Sequence, residues 1–489
     1  MLLTDRLNDA QLLRDKAYIN GGWVAAHEAA GFSVYNPATG APLATVPDCA
    51  AEDTRAAIAA AEQALIVWRE TPAPLRASLL RALHGLLLKH EEDLAQLITA
   101  EQGKPLAEAL GEVRYAAAYV DWFAAEARRT YGDVIPAASA DRRLLVVKQP
   151  IGVVATITPW NFPLAMLARK VAPALAAGCA VVSKPAEATP LSALALAELT
   201  SRAGFPAGVF NVLPTSSGDR VGGELTSNPV VRKLSFTGST ATGKLLLSQC
   251  AEGVKKVSLE LGGNAPFIVF DDADLEAAVA GAVAVKFRNS GQTCICANRF
   301  IVHEKLYDEF AERLALAVNA LSVGDGAEAG TDQGPLINAA AVRKVENQLE
   351  DAVASGAHVI CGGARHERGG SFFQPTVLVN VRGDMRVARE ETFGPVAPLL
   401  PFQSEAEAVE LANQTQAGLA AYFYTADMAR AWRVAEQLEY GMVGVNETAI
   451  SSEAIPFGGI KESGLGREGS SYGIDEYLEL KHICMGGLG

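Results

Sequence analysis

Cysteine is scarce: seven in 489 residues, at positions 49, 179, 250, 294, 296, 361 and 484. An odd, sparse set argues against a disulfide-stapled scaffold and fits reduced thiols in a cytoplasmic setting. Positive charge is also short. Lys and Arg number 42 against 56 Asp and Glu, for a net charge of −14, and there is no basic run. Such a chain is expected to bind neither nucleic acid nor an anionic membrane surface as its main partner. Long apolar runs are missing too. A long uncharged stretch, from Ile151 to Ala168, is interrupted by Pro159, Asn161 and Pro163, so no membrane span is expected. The opening MLLTDRLNDAQLLRDK mixes acids and bases, unlike a secretory signal or a transit peptide. The seven His show no ligand spacing, so no metal site is expected. What the chain does have is apolar side chain to bury. At 49% hydrophobic and 20% charged it reads as globular rather than disordered, and its length suggests two to four domains.

The middle of the chain carries the clearest pattern. Apolar runs recur at 151–157, 179–183, 209–213, 231–237 and 256–260, with helix-like stretches at 163–177, 190–203, 218–227 and 239–250 between them. Each crossover is long enough for a helix, which predicts right-handed βαβ units and a parallel sheet. A second alternating block follows. It has strand candidates in APFIVF, RFIVH, HVICGG, PTVLVNV and APLLPF, and helix candidates at 274–289, 304–321, 405–414 and 428–438. Residues 51–130 are Ala-rich and helical in character. RRLLVVKQP (142–150) and YLELKHICMG (477–486) are lone strand-like pieces, expected to pair with each other or with another subunit. The fold class is therefore α/β with two parallel-sheet domains.

Two motifs mislead. GSTATGKL (238–245) nearly matches the phosphate-binding P-loop, but Leu245 stands where a magnesium-binding hydroxyl is needed. Its glycine turn at a helix start can still hold a phosphate through backbone N–H groups. GLGREG (464–469) matches G-x-G-x-x-G, yet too little chain follows for a βαβ unit, and it reads as a loop.

Ligands of open α/β sheets bind beyond the carboxyl ends of the strands. Those ends present Trp160 and Asn161, Lys184 and Glu187, Gly238 and Ser239, and Glu260 with Leu261. Further on, GQTC presents Cys294 after a turn of small residues, and EETFGP (390–395) supplies another polar loop. PWNFP, KVAPALAAGC, FTGST, LELGG, GQTC, EETFGP and PFGGIKESGLGRE, in that order over essentially the whole chain, resemble the NAD(P)-dependent aldehyde dehydrogenases. KFRNSGQTCICAN, GMVGVNETAISSEAIPFGG and GREGSSYGIDEYLELK are similar to the succinate-semialdehyde dehydrogenase branch.

The resemblance implies a cofactor domain from 1–128 and 149–259 and a catalytic domain over 260–460. It implies an oligomerisation hairpin and tail from 129–148 and 470–489, through which dimers or tetramers form. Cys294 would be the nucleophile, and a thiolate adds readily to an aldehyde carbonyl. The Asn161 amide and the Cys294 backbone N–H would hold the oxyanion. Glu260 would activate the hydrolytic water, with a carboxyl pKa raised by desolvation, and Lys170 would support the site. On the cofactor side, Lys184 and Glu187 would hold the adenosine ribose, and Gly238 and Ser239 the pyrophosphate. Trp160, Leu261, Glu391 and Phe393 would complete the cofactor contacts, Glu391 and Phe393 at the nicotinamide end. NAD is the expected cofactor and NADP a poorer one, because an acid at 187 repels a 2′-phosphate. Arg169 and Arg288, with Ser452 chosen over Ser451, would grip the distal carboxylate of an acid-bearing aldehyde. Succinate semialdehyde is the expected substrate and glutarate semialdehyde the alternative. Cys296, two residues past the nucleophile, is expected to resolve an oxidised Cys294 into a disulfide.

Overall fold

The computed structural model describes residues 3–488. The five predicted central strands form the core of one sheet. Its parallel order is Phe210–Val212, Ala180–Lys184, Val153–Ile157, Val231–Thr237, Lys256–Glu260. The chain runs outward from Val153–Ile157 in one direction, then returns beside it and runs outward in the other. The order therefore reverses between Val153–Ile157 and Val231–Thr237, and such a reversal opens a crevice at the carboxyl ends of the strands. Trp160 and Asn161 leave one lip of that crevice, and Gly238 and Ser239 leave the other.

The second block forms a seven-stranded sheet with Ala265–Val269, Ala297–His303 and Val396–Phe402 near its centre. These strands are buried along almost their whole length, as strands covered on both faces should be. The Ala-rich region becomes four helices, Ala51–Trp68, Ala73–Lys89, Glu91–Gln102 and Leu106–Glu126. Two of them, Ala73–Lys89 and Leu106–Glu126, pack against Ala165–Ala177, every residue of which is buried.

Several features were not anticipated, among them the sixteen-residue helix Ala339–Ala354. Residues 17–47 form two antiparallel hairpins, one of which extends the first sheet. Strands Ala420–Tyr424 and Met442–Val445 complete the second sheet. The misleading GLGREG segment contributes Gly464–Leu465, which pairs antiparallel with Leu259 and Glu260. Chain beyond residue 460 thus returns to the first sheet. The two lone strand-like pieces pair with each other: Leu478–Met485 lies antiparallel to Arg143–Pro150 over eight residues, with Asp133–Ile135 on the far side.

Candidate active site

A cavity of about 570 Å³ lies at the crevice. Ten of the expected site residues line it. Trp160, Asn161, Gly238, Ser239 and Leu261 come from the first domain, and Cys294, Glu391 and Phe393 from the second. Arg169 and Arg288 stand in the same wall.

Asn161 is buried and its Nδ2 donates to the Gln292 carbonyl oxygen at 3.0 Å, two residues before the nucleophile. The Asn161 amide thus already points at the Cys294 loop. Burial pushes the Cys294 thiol up to about 12, with the Glu391 carboxylate acting in the same direction. Tyr422 Oη donates to the Ile295 carbonyl at 2.7 Å and pins the loop from behind.

Glu260 ends its strand as expected but does not line the cavity. It is buried, one carboxyl oxygen has no hydrogen-bond partner, and a Cβ on Gly458 would fall 2.9 Å from the other. The glycine at 458 leaves the space this carboxyl occupies. Burial raises its pKa well above the ordinary carboxyl value, and the Glu468 carboxylate adds to the rise.

Lys170 is fully buried and paired with Glu468, which places it behind the cavity rather than in it. Glu468 also pairs with Arg169, Oε2 to Nε, at 2.8 Å. Burial opposes ionisation of Glu468, but Lys170 and Arg169 together hold its pKa below the usual range. Sequence reasoning missed this buried counter-ion because it lies inside the GLGREG loop, far along the chain from both partners. Arg169 Nη2 is buried with no hydrogen-bond partner, and its guanidinium packs 3.9 Å from the Phe457 ring centre. Arg288 is exposed, 5.1 Å from the Phe162 ring centre.

The structure brings Ser451 rather than Ser452 to the cavity. The serine lining the cavity is Ser451, whose hydroxyl hydrogen-bonds to Tyr115. Ser452 instead offers its main-chain carbonyl to Tyr119 Oη at 3.1 Å. Adjacent residues of an irregular loop carry no periodicity that could have separated them. Cys296 is not brought to the cavity either. Both cysteines are free thiols, and Cys296 is buried with its S–H on the Lys286 carbonyl oxygen at 3.3 Å. The resolving role expected for it would need the thiol to turn out of that position.

The cofactor residues form a cradle that fits a dinucleotide. Ser239 caps the twelve-residue helix Thr240–Ala251. Gly238 and the first helical N–H groups suit a pyrophosphate. A Cβ on Gly262 would meet Glu391 Oε2 at 3.1 Å and Thr240 Oγ1 at 3.2 Å, so a larger residue would narrow the cleft. Glu391 accepts from the Gly263 N–H at 3.0 Å. Phe393 adopts φ 52° and meets Trp160 edge to face at 5.4 Å. A strained φ in a bulky residue is typical of a ligand clamp. Lys344, not singled out in the sequence, lines the cavity with Glu391. Lys184 and Glu187 lie outside it at the end of the neighbouring strand, 3.5 Å apart, with Lys184 buried and Glu187 exposed. The P-loop lysine, Lys244, pairs with Glu462 at 2.7 Å. Among the described residues no cluster of His, Cys, Asp and Glu could hold a metal, and no helix is long and apolar enough to cross a membrane.

Residues 23–483 match the aldehyde dehydrogenase family, and the chain belongs to it. It is 60% identical over 98% of its length to the whole of a succinate-semialdehyde dehydrogenase (NADP(+)) from Escherichia coli (strain K12). A 3-sulfolactaldehyde dehydrogenase of Pseudomonas putida is 60% identical, with 99% of each chain covered. A glutarate-semialdehyde dehydrogenase of Pseudomonas aeruginosa is 58% identical over 99% of this chain and 100% of that one. A crystal structure titled as an E. coli NADP-dependent enzyme superposes with a TM-score of 0.97, at 60% identity, over 98% of this chain and 100% of the other. The protein is an NAD(P)-dependent aldehyde dehydrogenase of α/β fold.

Proposed function

We propose that this enzyme oxidises succinate semialdehyde to succinate, with NAD preferred over NADP. The observation that carries the substrate is the free, buried Nη2 of Arg169 in the same cavity wall as Cys294, with Arg288 standing in that wall. A buried donor without a partner costs free energy until an acceptor arrives, and a carboxylate takes two guanidinium hydrogen bonds at once. An aldehyde bearing an acid at its far end satisfies that donor and presents its carbonyl to the thiol. Glutarate semialdehyde is the second reading, because Arg288 is exposed and its long side chain can shift to meet a longer chain.

The chemistry follows from the residues. The Cys294 thiol passes its proton to a water in the cavity and the sulfur adds to the aldehyde carbon, forming a thiohemiacetal oxyanion. The Asn161 amide leaves the Gln292 carbonyl and donates to the new oxyanion, alongside the Cys294 backbone N–H. A nicotinamide cofactor, held by Trp160, Glu391 and Phe393, would supply the hydride acceptor there, and the Cys294 sulfur would keep the acyl group as a thioester. Glu260 swings from its seat beside Gly458 and takes a proton from water. Hydroxide attack on the thioester then releases the acid and the sulfur.

Trp160, Gly238, Ser239, Leu261, Glu391 and Phe393 would hold the cofactor, with Lys184 and Glu187 at the adenosine ribose. Glu187 accepts from a ribose hydroxyl and repels a 2′-phosphate, while Lys184 tempers the repulsion. The test is a panel of aldehydes assayed with NAD and with NADP by absorbance of the reduced cofactor. The highest kcat/KM is expected with succinate semialdehyde and NAD, and Glu187→Ala should narrow the gap to NADP. A higher kcat/KM with uncharged aldehydes would overturn the substrate reading, and one higher with NADP the cofactor reading. The cytoplasm is the proposed location, and a homodimer or homotetramer the proposed assembly.

A further inference from the structure

Lys104 follows helix Glu91–Gln102 and is fully buried, although it touches neither cavity nor substrate. Its ammonium donates to Glu112 Oε2 at 2.6 Å and to the main-chain carbonyl of Asn161 at 2.7 Å. It also stands 3.5 Å from the Phe162 ring centre. The other Glu112 oxygen accepts the N–H groups of Leu164 and Ala165, where helix Ala165–Ala177 begins. One carboxylate therefore fixes both the ammonium and the chain that follows Asn161.

The same Asn161 carbonyl has a second donor. Asn289 Nδ2 reaches it at 3.0 Å and also reaches the Gln292 carbonyl at 3.2 Å. Gln102 holds Asn289 in turn, Nε2 to Oδ1, at 2.9 Å, and accepts the Lys104 backbone N–H at 2.9 Å. Asn289 adopts φ 51°, a conformation that needs such holding. Two donors of this network, the Lys104 ammonium and Asn289 Nδ2, converge on the carbonyl of Asn161, the residue whose side chain points at the Cys294 loop.

A buried ion pair is a poor source of stability, since well-packed apolar residues of similar volume often serve as well or better. What it supplies here is position. An oxyanion donor acts only when it stands within hydrogen-bond reach of the place where charge develops. We propose that Lys104, seated by Glu112 and matched by Asn289, is a positioning residue that fixes the main chain of Asn161 and so aims its amide at the oxyanion. This inference rests on the reading of Asn161 as the oxyanion donor.

The test is a double-mutant cycle on the full-length enzyme with Lys104→Met, Asn161→Ala and the pair. Asn161→Ala should lose about 10²–10³ in kcat. Lys104→Met should lose on the order of 10²-fold, as a small misplacement near the chemistry does, with KM and NAD binding little changed. Alkylation of Cys294 by iodoacetamide should keep its wild-type rate. In the Asn161→Ala background, Lys104→Met should cost nothing further, because what it positions is gone. Losses that multiply would overturn the proposal and make Lys104 merely structural. Full kcat in Asn161→Ala would instead overturn the oxyanion reading. If Lys104→Met does not fold, Glu112→Gln in the same cycle carries the test, since it unseats the ammonium while keeping the stem.

Discussion

Burial makes both the Cys294 thiol and the Glu260 carboxyl harder to deprotonate than the free side chains. Burial lifts the thiol to about 12 and the carboxyl well above its ordinary value. The working form of each is the deprotonated one, a thiolate to attack and a carboxylate to take a proton. Activity should therefore rise with pH, since raising the pH through a raised pKa populates the active form. Glu260→Gln removes the base but not the nucleophile. It should give a burst of reduced cofactor close to one per site, then stall at the thioester, whereas Cys294→Ala should give no burst. Rapid-mixing absorbance distinguishes the two, and full steady turnover by either variant would refute its role. Their positions stand out in the sequence because each closes an apolar strand or a turn of small residues, while the roles proposed for them come from the resemblance to the aldehyde dehydrogenases. Glu468 was not legible. Nothing local marks it, and its meaning comes from Arg169 and Lys170, which only the folded sheet brings to it.

At the scale of the element, helix Ala165–Ala177 explains why two adjacent cations differ. Its burial is complete, so neither Arg169 nor Lys170 can reach solvent, and both turn to Glu468. Lys170 ends there. Arg169 keeps one nitrogen free toward the cavity. Arg288 follows helix Leu275–Phe287 and is exposed. Their alanine variants should therefore behave differently. Arg288→Ala should lose kcat/KM with succinate semialdehyde far more than with butanal, by roughly 2–5 kcal/mol if it grips the substrate acid. Arg169→Ala strips a partner from buried Glu468 and should destabilise the fold by about 3–5 kcal/mol; it also removes the free donor proposed for the substrate acid, so activity should fall on both aldehydes and further on succinate semialdehyde. Parallel assays on the two substrates with thermal melts check this, and equal losses on both for Arg288→Ala would make that residue structural. Most helices and the central strands were legible because their apolar periods are long and unbroken, but helix Ala339–Ala354 was not read. The hairpins at 17–47 were not, because strands of three to six residues with mixed burial leave too short a pattern to read.

The three-stranded sheet is where the whole molecule is least self-sufficient. In its register Ile483 lies opposite Leu145, and Leu145 opposite Val134. Directly opposed residues point to the same face, so these three form an apolar row, with Val134 and Ile483 both exposed. The outer edges of Asp133–Ile135 and Leu478–Met485 are open as well. An exposed edge beside an apolar row is a surface that soluble proteins normally cover. The sequence already marked both long strands as lacking a local partner. They found each other, but one face still lacks a cover. A second copy of the chain is the expected cover, and a symmetric pairing needs only this one patch on both copies. Sedimentation of the wild type should give a dimer or tetramer, and the Val134→Asp, Ile483→Asp double variant should give a smaller species. This face belongs to a sheet separate from the one whose strand ends form the catalytic crevice, so the variant should still bind NAD. A wild type that sediments as a monomer, or a double variant that stays the same size, would place the association elsewhere or remove it.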